Sequence, residues 1–237
     1  INYLSSHPDI YMERYEIHFF DNPQNNITNK EISEYEKIFQ TDKLIIGEKT
    51  PSYSYLQFAM DRIYNYNPNI KLILILREPI SRAFSQYNMN LNLIGKTLDD
   101  VNEQQIHSDF EKEELIKLSE LTQSGNYFII RGLYDEIIEY ILSKFSQNNL
   151  YIGISEEIKK DKLNEYNKII KFLGGNVLNG INGIMDGNIG EYKKNIPKSL
   201  EQKLYNIYKP HNEKLYKILG RKIDIWEEYY DKIKSAF

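Results

Sequence analysis

The feature that most constrains the fold is the segment 71–87, KLILILREPISRAFSQY, in which an apolar run gives way at once to charged and hydroxyl residues. Leu72–Leu76 is too short to span a membrane and too rich in Ile for a good helix. Such a run is typical of a strand that is buried on both faces of a parallel sheet. Pro79 then suits the first position of a helix, where its missing N–H costs nothing. The segment therefore predicts a strand followed directly by a helix.

Polar side chains cluster at this predicted junction. Ile80, Phe84 and Tyr87 recur at helical spacing and would give the helix an apolar face. The polar residues would then lie at the carboxyl end of the strand, where open α/β sheets bind ligands and where a helix N-terminus favours anions. The alternative is that they are ordinary solvated surface residues. They are Arg77, Ser81, Arg82 and Ser85.

Other apolar runs predict further strands and helices of the same kind. Short strands are expected over residues 10–12, 44–46 and 150–154, and the βαβ order implies a parallel sheet with right-handed crossovers. We predict the α/β class, with a central parallel β-sheet flanked by helices, in a single domain over residues 1–237. The expected helices cover residues 32–39, 56–63, 110–118, 133–145, 166–173 and, at the end of the chain, 200–219.

Composition excludes several classes of function. The net charge of −4 gives no general case for nucleic-acid binding, so an anion site must be a local cluster. The chain has no cysteine and therefore no disulfide, thiolate nucleophile or cysteine metal site. Its four histidines show no HExxH spacing, so no metal is expected. The absence of GxGxxG and GxSxG motifs argues against a Rossmann dehydrogenase and an α/β-hydrolase. No apolar segment approaches the roughly 18 residues of a membrane helix.

Three groups of polar residues would meet at the carboxyl edge of the predicted sheet: Glu16 with His18, Lys49, and Arg77 with Ser85. A carboxylate or imidazole beside a lysine suits proton removal from a nucleophile while negative charge is stabilised nearby. An arginine and a serine hydroxyl suit a phosphate. Together these groups indicate group transfer from a nucleotide donor. The alternative is that Glu16 and His18 are polar positions on a strand edge and that Lys49 is a solvated loop residue.

Five segments of the chain match motifs that occur together in one enzyme family. They are YEIHFFD (15–21), GEKTPSY (47–53), LILILREPISRAFSQY (72–87), RGLYDEII (131–138) and GEYKKNIP…YKPHNEKLYKILGR (190–221). This set resembles the sulfotransferases that use 3′-phosphoadenosine 5′-phosphosulfate (PAPS), most closely the branch with the heparan sulfate N- and 3-O-sulfotransferase domains and their microbial relatives. The resemblance covers nearly the whole chain. It implies a P-loop-NTPase-like sulfotransferase fold, with PAPS as co-substrate and adenosine 3′,5′-bisphosphate (PAP) as product.

The resemblance also implies roles for individual residues. Arg77 and Ser85 match the pair that grips the 3′-phosphate of the donor. Glu16 matches the general base that takes a proton from the acceptor hydroxyl or amine. His18 lies where the family often has a second polar group near the acceptor, and Lys49 matches the lysine that lines the sulfuryl-transfer cleft.

Three further residues are implied to border the nucleotide. Tyr134 falls in a segment beside it, although packing is the alternative role for this side chain. Gly190 and Lys193 belong to a stretch that resembles a loop closing over the nucleotide, but the spacing to Pro197 differs from the vertebrate pattern. The family also has a phosphosulfate-binding loop, rich in Gly, Thr and Ser, before the helix that ends in NYLSSHP. We therefore expect a strand and such a loop upstream of the sequence given.

The sequence thus predicts a sulfotransferase acting on a hydroxyl or amine, with a saccharide or a small hydroxylated compound as acceptor. No nucleic-acid partner is expected, and no membrane segment is expected in this chain. A cytoplasmic location is expected, with a Golgi-lumenal domain as the alternative. One rival function is a P-loop-type small-molecule kinase, which would need a Mg²⁺-binding Ser or Thr and an acidic residue. A second rival is a nucleotide-binding module without turnover.

Overall fold

The computed structural model describes residues 2–114, 116–180 and 195–235. The chain forms two compact units, each considered over its described residues. The first comprises Ile1–Ile75, Leu121–Ser124 and Ile141–Ile189, and the second comprises Leu76–Glu120, Gly125–Tyr140 and Gly190–Phe237. The single domain over residues 1–237 stays a prediction.

Parallel pairing of short strands organises the first unit. Strands β1 (Ile10–Met12) and β2 (Ile45–Gly47) pair in parallel, with Ile10 opposite Ile45. Strands β3 (Leu72–Leu76) and β4 (Leu150–Ile154) also pair with each other. The predicted strands are therefore confirmed, the second of them one residue further along. Within the described ranges the expected central sheet is assigned as two two-stranded sheets.

The expectation that these strands are buried on both faces is wrong at several positions. Leu76 is fully buried, but Ile75 is 44% exposed. Next to and within β2, Leu44 is 74% and Ile46 is 48% exposed. Successive side chains of a strand point to opposite faces, so a strand with only one covered face exposes alternate residues. The continuous apolar run concealed this difference between the two faces.

Helices make up most of the described structure, and several begin at residues that the sequence marks clearly. Helix α2 starts with a capping box in which Thr28 and Glu31 bond reciprocally to each other's backbone N–H. Helix α8 ends at Gly174, whose φ of 89° is favourable only for glycine. In chain order the helices are α1 (Asn2–Ser5), α2 (Asn29–Glu36), α3 (Gln57–Tyr66), α4 (Pro79–Leu93), α5 (Glu103–Glu111), α6 (Tyr134–Lys144), α7 (Ser155–Lys160), α8 (Lys162–Leu173), α9 (Lys198–Leu219) and α10 (Asp224–Ser235).

In the second unit one predicted helix start is confirmed, one predicted helix is misplaced, and one further helix was not predicted. Helix α4 begins at Pro79, as predicted. The helix expected over 110–118 is wrong, because α5 starts earlier, where the Asn102 side chain accepts a hydrogen bond from the Gln105 N–H at 2.8 Å. Beyond α5, the buried Glu113 side chain accepts hydrogen bonds from the backbone of a later loop. Helix α10 was not predicted, although Trp226, Tyr230 and Ile233 have helical spacing and are buried.

Candidate functional site

The first unit brings Glu16, His18 and Lys49 together. The Lys49 ammonium lies 2.7 Å from Glu16 Oε1, and His18 Nε2 lies 3.6 Å from Glu16 Oε2. All three side chains are accessible, with exposed fractions of 45% for Lys49, 39% for Glu16 and 50% for His18. The convergence that the sequence predicts for these three residues is therefore present within this unit.

The backbone that carries Glu16 and His18 is a loop and not the extended segment considered from the sequence. His18 has a φ of 55°, in the left-handed region that residues other than glycine rarely occupy. Such a conformation persists only where the surroundings hold it in place. Here the His18 N–H donates to Thr50 Oγ1 at 3.4 Å, and the next N–H, of Phe19, donates to the Tyr53 hydroxyl at 3.0 Å. The loop is thus tied to the segment that follows Lys49.

Asp21 is a member of this cluster that sequence reasoning missed. Its carboxylate is almost fully buried and lies 2.9 Å from His18 Nδ1, while the Ser52 hydroxyl donates to the same oxygen. Its second oxygen has no hydrogen-bond partner within the described ranges. Because Asp21 contacts Nδ1, the other ring nitrogen, Nε2, faces Glu16. The spacing E-x-H-x-x-D was the sequence signal for this residue.

Glu48 is a second residue that sequence reasoning missed, and it stabilises the loop through hydrogen bonds. Its carboxylate accepts hydrogen bonds from the hydroxyls of Tyr35 at 2.8 Å, Tyr53 at 3.2 Å and Thr50 at 3.1 Å. Burial raises the pKa of the Glu48 carboxyl, although these three hydrogen bonds act in the opposite direction. Since Thr50 and Tyr53 also bind the His18 loop, Glu48 links that loop to Lys49.

In the second unit the start of α4 is capped by the chain itself. The Glu78 carboxylate accepts hydrogen bonds from the N–H groups of Ile80 at 2.9 Å and Ser81 at 2.7 Å. The first free N–H groups of α4 are therefore already bonded, which corrects the expectation that this helix N-terminus offers them to an anion. Burial raises the pKa of Glu78, against the effect of these backbone hydrogen bonds.

A cavity of about 310 Å³ lies beside this helix start, and Arg77, Ser81 and Ser85 line it. No hydrogen bond or ion pair of the Arg77 guanidinium is found with the described residues of its own unit. Arg82, the fourth polar residue of the junction, is directed elsewhere, since its guanidinium donates to Gln86 Oε1 at 2.8 Å and to the Phe128 carbonyl. The structure thus brings three of the four junction residues together around one cavity.

Tyr134 is buried behind Arg77. Its hydroxyl donates to the Arg77 carbonyl at 2.8 Å and accepts from the Arg77 N–H at 3.4 Å, and its ring lies 6.1 Å from Trp226. The tyrosine therefore fixes the backbone of the arginine, and its place beside a nucleotide stays a prediction. The predicted residues Gly190 and Lys193 lie outside the described residues.

The described residues also bear on metal binding and on membrane insertion. No group of three or more His, Asp or Glu side chains in this part of the chain could hold a metal ion. That no metal takes part stays a prediction. Among the same residues, no helix is both long and apolar enough to cross a bilayer.

The carboxylate–lysine pair of the first unit and the arginine-lined cavity of the second are each arrangements that occur in group-transfer enzymes. Comparison with known proteins gives the family. Residues 16–217 match the family described as "Sulfotransferase domain". The chain belongs to the sulfotransferase domain family, which confirms the resemblance seen in the sequence.

Individual relatives agree with this assignment. The chain is 28% identical to "Heparan sulfate glucosamine 3-O-sulfotransferase 5" of Mus musculus over 244 residues, which are 93% of this chain and 68% of that protein. The Homo sapiens protein of the same name is 28% identical over 246 residues, with the same shares. A crystal structure of a sulfotransferase from Alicyclobacillus acidocaldarius superposes with a TM-score of 0.73 and 22% identity, and covers 95% of this chain and 92% of that chain. The predicted α/β sulfotransferase fold is therefore confirmed.

Proposed function

We propose that this sulfotransferase moves a sulfuryl group from PAPS to a hydroxyl or amine of a saccharide. The contact of 2.7 Å between Lys49 and Glu16 carries this proposal, because it sets an accessible carboxylate beside a cation. PAPS as donor is supported by the motifs of the family to which the chain belongs. A saccharide acceptor is supported by relatives whose names specify heparan sulfate glucosamine.

Glu16 acts as the general base in the proposed reaction. The carboxylate takes the proton from the acceptor O–H or N–H, and the acceptor atom forms a bond to sulfur. The bond between sulfur and the bridging oxygen of the donor breaks, and its electron pair leaves on the 5′-phosphate of PAP. The proton ends on Glu16, and Lys49 offsets the negative charge that develops during transfer.

His18 supports this step from the side. Its Nδ1 is fixed by the buried Asp21 carboxylate at 2.9 Å, so the ring keeps its orientation toward Glu16. An imidazole held in this way limits the rotamers available to the neighbouring carboxylate and provides a polar contact for the acceptor. We therefore place His18 as a positioning residue and Glu16 as the base.

Arg77 and Ser85 bind the 3′-phosphate of the donor in this proposal. The guanidinium offers a planar pair of N–H donors that matches two phosphate oxygens, and the serine hydroxyl offers a further donor. Both residues line the same cavity. A donor with a 3′-phosphate is what distinguishes this reaction from transfer of an ATP phosphoryl group.

Replacement of Arg77 with Ala tests the donor assignment. Affinity for PAP should fall by about 2–4 kcal/mol, because a charge-assisted pair of hydrogen bonds is lost and the phosphate is left poorly paired. Affinity for adenosine 5′-monophosphate, which lacks the 3′-phosphate, should barely change. Titration calorimetry of both ligands measures the two effects.

Lys96→Ala is the matched control, since this exposed lysine follows α4 and does not line the cavity. Equal weakening of both ligands by Arg77→Ala would contradict the assignment of the 3′-phosphate to Arg77. The same titrations with ATP, with and without Mg²⁺, test the kinase alternative, which requires Mg²⁺-dependent binding of ATP in preference to PAP.

A further inference from the structure

Helix α10 supplies a wall of the cavity that Arg77 and Ser85 share. This helix, Asp224–Ser235, lies beyond residue 217, where the match to the sulfotransferase domain family ends. Tyr229 of α10 is half-buried and lines the cavity. The cavity is therefore built in part by a segment that the family match does not include.

Tyr229 is held in a defined position. Its hydroxyl donates to the Glu201 carboxylate of α9. The adjacent Tyr230 hydroxyl donates to Glu78 Oε1 at 2.8 Å and accepts from Asn212 Nδ2 at 3.0 Å. Because Glu78 caps α4, these bonds tie α10 to the helix start beside Arg77. The position of the Tyr229 side chain is thus set relative to the start of α4, which follows Arg77.

The chemistry of the cavity fits a phosphorylated ring system. One cation, two serine hydroxyls and the amide of Asn195 line it together with aromatic and aliphatic side chains. This combination suits a phosphate attached to a flat, largely apolar group. Its volume of about 310 Å³ is near the lower end of the range of roughly 300–1,000 Å³ for ligand pockets. A pocket of this size accommodates one part of a nucleotide and not an extended donor. The apolar residues are Ile80, Phe84, Ile196 and the ring of Tyr229.

We propose that Tyr229 contacts the nucleoside of the ligand whose 3′-phosphate is bound by Arg77 and Ser85, so that α10 completes the nucleotide pocket. This inference rests on the proposed function and adds to it a binding residue from outside the matched family region. Since the tyrosine hydroxyl is engaged with Glu201, the ring is the part that is available to the ligand.

Titration calorimetry of three variants tests the inference with PAP and with adenosine 5′-monophosphate. Tyr229→Ala should weaken the binding of both ligands by the same factor, roughly tenfold, because both carry the nucleoside that stacks on the ring. Tyr229→Phe keeps the ring and should bind both ligands almost as the wild type does. Tyr229→Leu keeps apolar bulk without the ring and should bind more weakly than Tyr229→Phe. This pattern differs from that of Arg77→Ala, which affects PAP alone.

Glu228→Ala is the matched control on α10, since this neighbouring side chain is exposed and does not line the cavity. Thermal unfolding of each variant shows whether the fold is retained, and the Phe and Leu variants decide the matter if the Ala variant does not fold. Unchanged binding of PAP by folded Tyr229→Ala or Tyr229→Leu would overturn this inference alone. Weakening of PAP without weakening of adenosine 5′-monophosphate would overturn the nucleoside contact. If the wild type bound neither ligand, the proposed function would fail first, and this inference with it.

Discussion

Two glutamates of the first unit show how environment separates the roles of identical side chains. Glu16 is accessible and lies 2.7 Å from the Lys49 ammonium. Glu48, next to Lys49 in sequence, is half-buried, and its carboxylate accepts hydrogen bonds from three hydroxyl groups. An accessible carboxylate can reach an acceptor, and a neighbouring cation can offset charge that develops during transfer, whereas enclosure by hydroxyl donors suits a structural anchor. The two acids therefore call for different tests.

Glu48 should make stability depend on pH. Burial raises the pKa of Glu48 in the folded chain above the value of 4.5 that it has when exposed, and the neighbouring Asp21 also raises it, while hydrogen bonds from Tyr35, Thr50 and Tyr53 lower it. The folded state therefore holds this proton more tightly, so the stabilising contribution is complete below that value and is lost as pH rises through the raised pKa. Glu48→Gln, which is neutral at every pH, should therefore gain stability relative to the wild type as pH rises above 4.5 and through the raised pKa of Glu48.

Urea unfolding across this pH range measures the difference in the free energy of unfolding. Glu34→Gln serves as the control for simple charge removal, because Glu34 is exposed on α2. A difference between Glu48→Gln and the wild type that stays constant with pH, or that shrinks as pH rises, would contradict the assignment.

The sequence predicts those parts of the site that follow from strand order, but not those that depend on hydrogen bonds between separate segments. Glu16, His18 and Lys49 follow apolar runs, and their convergence could be predicted from the rule that parallel strands present their carboxyl ends at one edge. The partners of Glu48 could not be predicted, because Tyr35 lies on α2, 13 residues earlier in the chain, and Tyr53 follows in another element. The left-handed φ of His18 was equally hidden, since only the hydrogen bonds of this loop fix it.

At the scale of elements, the start of α4 determines where Arg77 lies. The Glu78 carboxylate caps two N–H groups of the helix and accepts the Tyr230 hydroxyl of α10. A helix start that is bonded internally offers an anion fewer backbone donors, so the proposed binding of the 3′-phosphate depends mainly on side chains. We therefore expect the Arg77 side chain to contribute more to anion binding in this cavity than the backbone N–H groups of α4.

Glu78→Ala should destabilise the protein by about 1–2 kcal/mol, because the cap of α4 is lost and the Tyr230 hydroxyl loses its acceptor. Denaturant unfolding measures the change. Tyr230→Phe removes only the second of these contacts, and should cost less than Glu78→Ala. An unfolding midpoint for Glu78→Ala equal to that of the wild type would show that the cap contributes nothing to stability.

Most of the strands and helices could be predicted from the sequence. The strand over 72–76 and the helix start at Pro79 were predicted because apolar runs and proline act locally. Helix α5 was placed too late because its first residue depends on the Asn102 cap and its end on the inward turn of Glu113. Helix α10 could have been predicted from the spacing of Trp226, Tyr230 and Ile233.

At the scale of the whole molecule, the order of the motifs along the chain identified the family before any geometry was known. Residues 16–217 match the sulfotransferase domain, and this range includes Glu16, Lys49 and Arg77. The donor and the acceptor depend on chemistry that motif order alone does not measure. A measurement of sulfuryl transfer is therefore the test of the proposed function.

The most direct test is transfer of radiolabelled sulfate from PAPS to heparan-type oligosaccharides by the wild type and by Glu16→Gln. The wild type should produce a labelled saccharide together with PAP. Glu16→Gln keeps the shape of the side chain without the base, so transfer should fall by roughly 10²- to 10⁴-fold while PAP binding persists. Full transfer by Glu16→Gln together with its loss in His18→Ala would contradict the assignment of the base, and PAP binding without transfer by the wild type to any saccharide, small hydroxylated compound or amine would contradict the proposed reaction.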